Sequence, residues 1–326
     1  MRSHIGEARA EEGAYVRPAP SANRLMLLWK YVKRDKYLYL LLVPILAYYV
    51  VFKYTPMLGE IIAFKNYRFA DGIWGSQWVG LKHFNRLFTS PDFFNVLKNT
   101  LLLNVYSIVF AFPVPIVLAV LLNEVRLEWY KRTIQNLLYI PHFISWVVLG
   151  GIFIALLSPS TGIVNTVLVK LFGIQPIYFM ASNAWWPVMF ILSGIWQSAG
   201  WGTILYLAAM AGIDPQLYEA AKIDGASKLR RIWHVTLPGI RSTIAILLIL
   251  RVGQMMDVGF EHIFVMQNKA VYEVSNVIST YVYHAGLEGL QYSYTTALGL
   301  FQSVIGLILV VSVNKIIKAM GENGLW

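Results

Sequence analysis

The chain has 326 residues, of which 57% are hydrophobic and only 13% charged, with a formal net charge of +10 and no cysteine. A soluble domain carries about a quarter charged residues, so this composition and a mean hydropathy of +0.55 point to a membrane protein. The absence of cysteine excludes a disulfide framework, a thiolate nucleophile and a Cys-based metal site, and the bases sit at the ends of apolar segments, which argues against nucleic acid.

Residues 1–36 form a mostly polar tail, basic near its end at Lys30, Lys33, Arg34 and Lys36. Its expected role is orientation and headgroup contact. It is too long for the n-region of a cleavable signal, and no A-x-A site follows the first apolar run. The rest, 37–326, reads as one all-α integral membrane domain.

Residues 99–122, 133–169, 171–213 and 289–314 contain no Asp, Glu, Lys or Arg. About 20 apolar residues cross the hydrocarbon core, so the two longest runs each hold a span and a loop. Six spans are expected, near 37–54, 99–122, 137–157, 185–210, 242–260 and 296–316. The first contains Pro44 and the second Pro113 and Pro115. Prolines are tolerated there when neighbouring helices or water satisfy the freed carbonyls.

Basic residues set the orientation. With the N-terminus inside, the inner segments hold eight bases in the tail, three in 123–136, five in 211–241 and two at the C-terminus. The outer segments hold six in 53–98, one in 158–184 and one in 257–295. Long translocated loops weigh little in this rule, so both termini are expected in the cytoplasm of a multi-pass plasma-membrane protein. The outer loop 55–98, with Trp74 and Trp78, either meets an extracellular partner or caps a cavity.

The expected inner loop 214–240 is polar and heavily punctuated. Asp214-Pro215 opens a helix as N-cap and first-turn proline. The helix reaches about Asp224, and Gly225 suits the left-handed position after its end. Ser227 caps a second helix that puts Leu229, Ile232 and Trp233 on one face, with Lys228, Arg230 and Arg231 elsewhere. Pro238 is expected to stop it. Punctuation alone allows two readings, an interfacial helix lying in headgroups or a rigid knob for a cytosolic partner.

Three groups in this loop, Glu219-Ala220-Ala221, Asp224-Gly225-Ala226 and Leu237-Pro238, together resemble the signature loop of binding-protein-dependent ABC importer permeases. That pattern reads E-A-A, three residues, G, then a hydrophobic residue shortly before L-P. Trp233 stands where many members carry Phe. The resemblance covers nearly the whole chain. The stretch from Arg251 to Leu287 and the run ALGLFQSVIGLILV are similar to the sugar group, maltose-permease-like and lipoprotein-linked, that takes up polysaccharide, oligosaccharide or aldouronate.

The resemblance implies a six-span ABC importer transmembrane domain whose loop supplies a coupling helix. Glu219 would make a charge-assisted contact that stabilises the loop or its docking, and Gly225 would permit the turn and close approach of the ATPase. The implied partners are two ATP-binding subunits, a second related permease forming a heterodimer, an extracellular solute-binding lipoprotein, a sugar substrate and the lipid bilayer. ATP and Mg would be bound by the partner ATPase. This chain has no G-x-x-x-x-G-K-[ST] phosphate loop, no H-E-x-x-H and no G-x-S-x-G. Its six histidines make no metal-ligand spacing. No catalytic or metal residue and no cofactor is expected in the chain. A channel or secondary carrier for another polar solute is the alternative, though it leaves the patterned loop without a purpose.

For the solute path, Arg251, Gln254, Asp257 and Glu261 stand along the least apolar span. On a continuous helix the last three fall within about 60° of one another. They read as a polar wall, as a salt-bridged contact with a sister subunit, or, for Asp257 and Glu261, as residues already outside. In the fourth span Trp196 and Gln197 either meet a sugar, by ring stacking and amide hydrogen bonds, or serve as interface and packing residues.

Overall fold

The computed structural model describes residues 31–322 and 324–326; Lys30 and most of the expected tail lie outside them. The chain forms two compact units, Met1–Gly59 and Glu60–Trp326, so the expected boundary at residue 36 falls within the first.

In the first unit, α1 (Lys36–Tyr49) continues into a π-helical turn, Val50–Tyr54. Every residue of α1 is exposed although the helix is strongly apolar. A helix that is apolar all round suits lipid contact.

The second unit opens on a short antiparallel hairpin, β1 (Lys65–Asn66) and β2 (Gln77–Trp78), with Lys65 opposite Trp78. Lys65 Nζ donates to the carbonyls of Ile73 and Trp74 at 2.9 and 3.0 Å, closing the hairpin loop. His83, on α2 (Lys82–Thr89), packs beside it with Nε2 3.1 Å from the Lys65 carbonyl. Burial pushes this imidazole below its usual range. Tyr67 N donates to Ser293 Oγ at 2.9 Å, tying the hairpin to the start of the last helix.

Then follow α3 (Pro91–Glu124), α4 (Glu128–Phe143), α5 (Trp146–Leu156), α6 (Ile163–Phe172), α7 (Trp186–Ala211), α8 (Pro215–Ile223), α9 (Lys228–Gly239), α10 (Arg241–Gly253), α11 (Phe260–Met266) and α12 (Tyr292–Ala319). Among the described residues, four helices are long and apolar enough to cross a membrane alone: Lys36–Phe64, α3, α7 and α12. The count reaches six if α4 with α5, and α9 with α10, each make one bent span.

Two expected spans therefore need correction. Segment 137–157 is not one straight helix: α4 and α5 meet at 101°. Pro141 lies in a 3-10 turn, Ile140–Phe143, and Ser145 is extended; a proline removes a ladder donor and clashes with the carbonyl four residues back. Segment 242–260 is also interrupted, because α10 ends at Gly253 and helix resumes only at Phe260.

Three of the four π turns among the described residues share a pattern that the fourth, Tyr283–Glu288, lacks. Val50–Tyr54, Ser107–Ala111 and Ile232–Thr236 are followed two residues later by Pro56, Pro113 and Pro238. A wider turn just before a proline eases the clash of its ring with the preceding carbonyl.

Small residues set the helix spacing. A Cβ on Gly200 of α7 would collide with the Leu138 carbonyl of α4, and one on Gly202 would stand 3.0 Å from Pro115 of α3. Four buried clusters fill the remaining interior. One of them gathers Ala119 and Val120 of α3, Tyr206 and Met210 of α7, and Ile240 just before α10.

Candidate functional site

The loop 214–240 is built as two capped helices. The Asp214 carboxylate accepts from Gln216 N at 2.9 Å, with Pro215 in the first turn of α8. Gly225 takes φ +71°, the left-handed conformation that strains any residue with a Cβ. Its N–H donates to the Lys222 carbonyl at 3.0 Å, and Ala226 N donates to the Ala221 carbonyl at 2.9 Å. These bonds satisfy carbonyls at the end of α8. Ser227 Oγ then accepts from Arg230 N at 3.4 Å, opening α9.

α9 ends one residue beyond Pro238, at the expected stop to within one residue. The helix absorbs the proline through the preceding π turn, runs to Gly239 and bends by 60° into α10. A hydroxyl pair, Tyr218 with the buried Thr236 at 3.0 Å, staples α8 to α9.

The loop is anchored at its base and bare at its tip. Ile213, Ile232 and Leu237 pack on the cluster of Tyr206, Met210 and Ile240. Leu217, Ile223, Leu229 and Trp233 are exposed, Ile223 at 86% and Trp233 at 62%. The expected apolar face of α9 is thus divided: Ile232 turns inward while Leu229 and Trp233 stay outside. Glu219, Ala220 and Asp224 are exposed; Ala221, Ala226 and Leu237 are half-buried. A seated surface with bare apolar side chains marks a site of protein or membrane contact.

The second feature is a cavity of about 850 Å³ in which Arg251, Gln254 and Glu261 all stand. They reach it from a broken span and not from one stripe, so the helical-wheel argument for residues 254–261 fails. Asp257 lies with Gln254 in an adjoining pocket against α12. Its carboxylate accepts from Gly259 N at 2.9 Å within the turn.

Breaking a helix frees carbonyls, and a buried one without a partner is costly. Two side-chain amides supply the partners here. Asn104 Nδ2, from α3, donates to the Met255 carbonyl at 2.8 Å, and Gln302 Nε2, from α12, donates to the Met256 carbonyl at 2.6 Å. Arg251 is held by Ser107 Oγ at 2.8 Å and Asn104 Oδ1 at 3.4 Å. An arginine at a helix centre in the bilayer costs at least about 2.5 kcal/mol. Among the described residues no carboxylate lies within ion-pair distance of it.

Neither Trp196 nor Gln197 of α7 faces this cavity. Trp196 is exposed and packs edge-on against Phe153, and buried Gln197 donates to the His142 carbonyl at 3.3 Å; neither lines the cavity. Gly194, Ser198, Trp201, Gly202 and Leu205 do. Their spacing follows the helical repeat, so a wheel drawn on α7 would have found them. Trp146 and Phe190 also line the cavity, on either side of the buried His262. They stack on it with ring centroids at 3.5 and 4.0 Å, and Ser193 Oγ lies 2.9 Å from its Nε2. Among the described residues no group of three His, Cys, Asp or Glu could hold a metal.

Residues 111–321 match the family described as binding-protein-dependent transport system inner membrane component. The chain is 50% identical over 304 residues to the polygalacturonan/rhamnogalacturonan transport system permease protein YteP of Bacillus subtilis (strain 168), covering 93% of this chain and 94% of that protein. It is 48% identical over 295 residues to protein LplB of the same organism, covering 90% and 92%. Among solved structures, a chain of a bacterial alginate ABC transporter, crystallised with an alginate pentasaccharide-bound periplasmic protein, superposes with TM-score 0.84 at 41% identity. The match covers 91% of this chain and 99% of that one. Helical architecture, signature loop and these matches agree, and the chain belongs to the binding-protein-dependent transport family as an ABC importer permease.

Proposed function

We propose that this chain forms half of the membrane pathway of an ATP-driven importer of oligosaccharides or polysaccharide fragments, both termini cytoplasmic. Two ATPase subunits, carrying ATP and Mg, drive the importer, and one of them receives loop 214–240. A second, related permease completes the pathway, and an extracellular solute-binding lipoprotein delivers the sugar. Glu219 stabilises the docked loop, and the cavity around Arg251, Gln254 and Glu261 belongs to the solute path.

The observation that carries this reading is the loop's construction. Its base is buried among α3, α7 and the start of α10, and its tip presents Leu217, Ile223 and Trp233 to a partner. Force applied at the tip would reach the helices that bound the cavity. The saccharide assignment is supported by the polygalacturonan/rhamnogalacturonan and alginate transporters to which the chain is similar.

The test is Glu219→Ala combined with Gly225→Pro in the reconstituted complex. Proline is locked near φ −65° and cannot adopt the +71° of Gly225. Solute-stimulated ATP hydrolysis and import should both fall by at least about tenfold, the equivalent of about 1.4 kcal/mol in coupling. Rates matching those of the unaltered complex would remove the docking assignment.

A further inference from the structure

We infer that Arg251 is an anion-selecting residue of the cavity, placed to receive a carboxylate of an acidic saccharide during passage. The inference rests on the proposed importer function and narrows its substrate class. Both hydrogen bonds of the guanidinium use one nitrogen, Nη2, towards Ser107 and Asn104. Among the described residues Nε and Nη1 have no acceptor, and neither is an enclosed, unpaired nitrogen. Nη1 and Nε lie on either side of Cδ and point apart, so each presents a separate charge-assisted donor to a single carboxylate oxygen. Ser107 and Asn104 fix the plane of the guanidinium through Nη2.

The nearby acids do not occupy that edge. Asp257 is engaged by its own turn and faces the adjoining pocket. Glu261 lines the same cavity but makes no ion pair with Arg251. A cavity with one cation and one anion held apart suits a ligand that carries both a carboxylate and hydroxyl donors, as a uronate residue does. The carboxylate meets Arg251, and hydroxyl groups donate to Glu261. Exposed Trp201 on the wall gives the cavity an aromatic surface for the apolar side of a sugar. The volume of about 850 Å³ lies within the range of about 300–1,000 Å³ usual for ligand sites.

The experiment uses the complete complex in proteoliposomes, with saturating binding protein loaded with trigalacturonate or with its carboxyl-reduced, neutral counterpart. The wild-type complex should import the acid faster. In Arg251→Gln the acid-to-neutral ratio should drop by about 10- to 100-fold, the loss expected for a hydrogen bond to a charged group. Arg251→Lys, which keeps the charge and loses the planar head that Ser107 and Asn104 hold in place, should fall between the two. Using the same binding protein throughout cancels its own preference. An unchanged ratio in Arg251→Gln overturns the assignment. If that variant fails to assemble, the wild type decides, because equal import of the two sugars overturns it as well. Import of both without preference removes only the role of Arg251. Failure of the wild type to respond to either sugar defeats the saccharide reading beneath it.

Discussion

Gly200→Ala is expected to destabilise the permease by about 3 kcal/mol, the upper part of the range for overpacking a close contact. The added methyl group meets the carbonyl of Leu138, which is backbone of α4 and cannot rotate away. Relief requires α4 to move off α7, disturbing the packing beside the 101° bend. Gly200→Val should be worse and should abolish monodisperse protein in mild detergent. Gly151→Ala is the control: nothing lies within 4 Å of its added carbon, and alanine is the better helix former. Thermal unfolding of the three proteins checks the point. Equal midpoints for Gly200→Ala and Gly151→Ala would mean that the α4–α7 approach is not tight.

The second large effect is expected for Asn104→Leu. This side chain is fully buried and makes three bonds at once. It donates to the Met255 and Thr100 carbonyls at 2.8 and 3.0 Å and accepts from Arg251 at 3.4 Å. Leucine fills a similar volume but strands a buried carbonyl and deprives the guanidinium of an acceptor, at a combined cost of about 3 kcal/mol. Gln302→Leu, which strands only the Met256 carbonyl, should cost about 1–2 kcal/mol. Because both amides hold the same break, the double variant should depart from additivity. Denaturation in detergent reads all three. A loss below about 0.5 kcal/mol for Asn104→Leu, within the scatter of surface substitutions, would mean that water satisfies these groups instead.

These residues also mark where sequence reading succeeded and where it stopped. The loop was legible because its devices are local. Asp214, Gly225 and Ser227 each act within three residues of themselves, and each sits in the predicted conformation. Three of the four charge-free runs disclosed uninterrupted membrane helices, α3, α7 and α12. Hydropathy does not encode direction, however, so the bend near Pro141 was hidden inside an apolar run. The break after Gly253 was hidden for a related reason. Arg251, Gln254, Asp257 and Glu261 fit a polar helical stripe, and what replaces the stripe depends on Asn104 and Gln302, both far away in the chain. The cavity wall is likewise assembled from α3, α5, α7, α10 and α11, and no short motif announces it. Whether Trp196 or Trp201 faces inward is a matter of helix rotation, which tertiary packing decides.

The π turn at Ser107–Ala111 has a consequence for the phase of α3. Asn104 lies before it and Pro115 after it, eleven residues apart. On an unbroken α-helix that interval returns to within about 20° of the same direction. The additional residue offsets it by about 100°. One transmembrane rod can therefore address the Met255 carbonyl with its first half and Gly202 of α7 with its second. Angular maps of this protein drawn across residues 107–111 without that offset will assign the wrong neighbours to everything downstream.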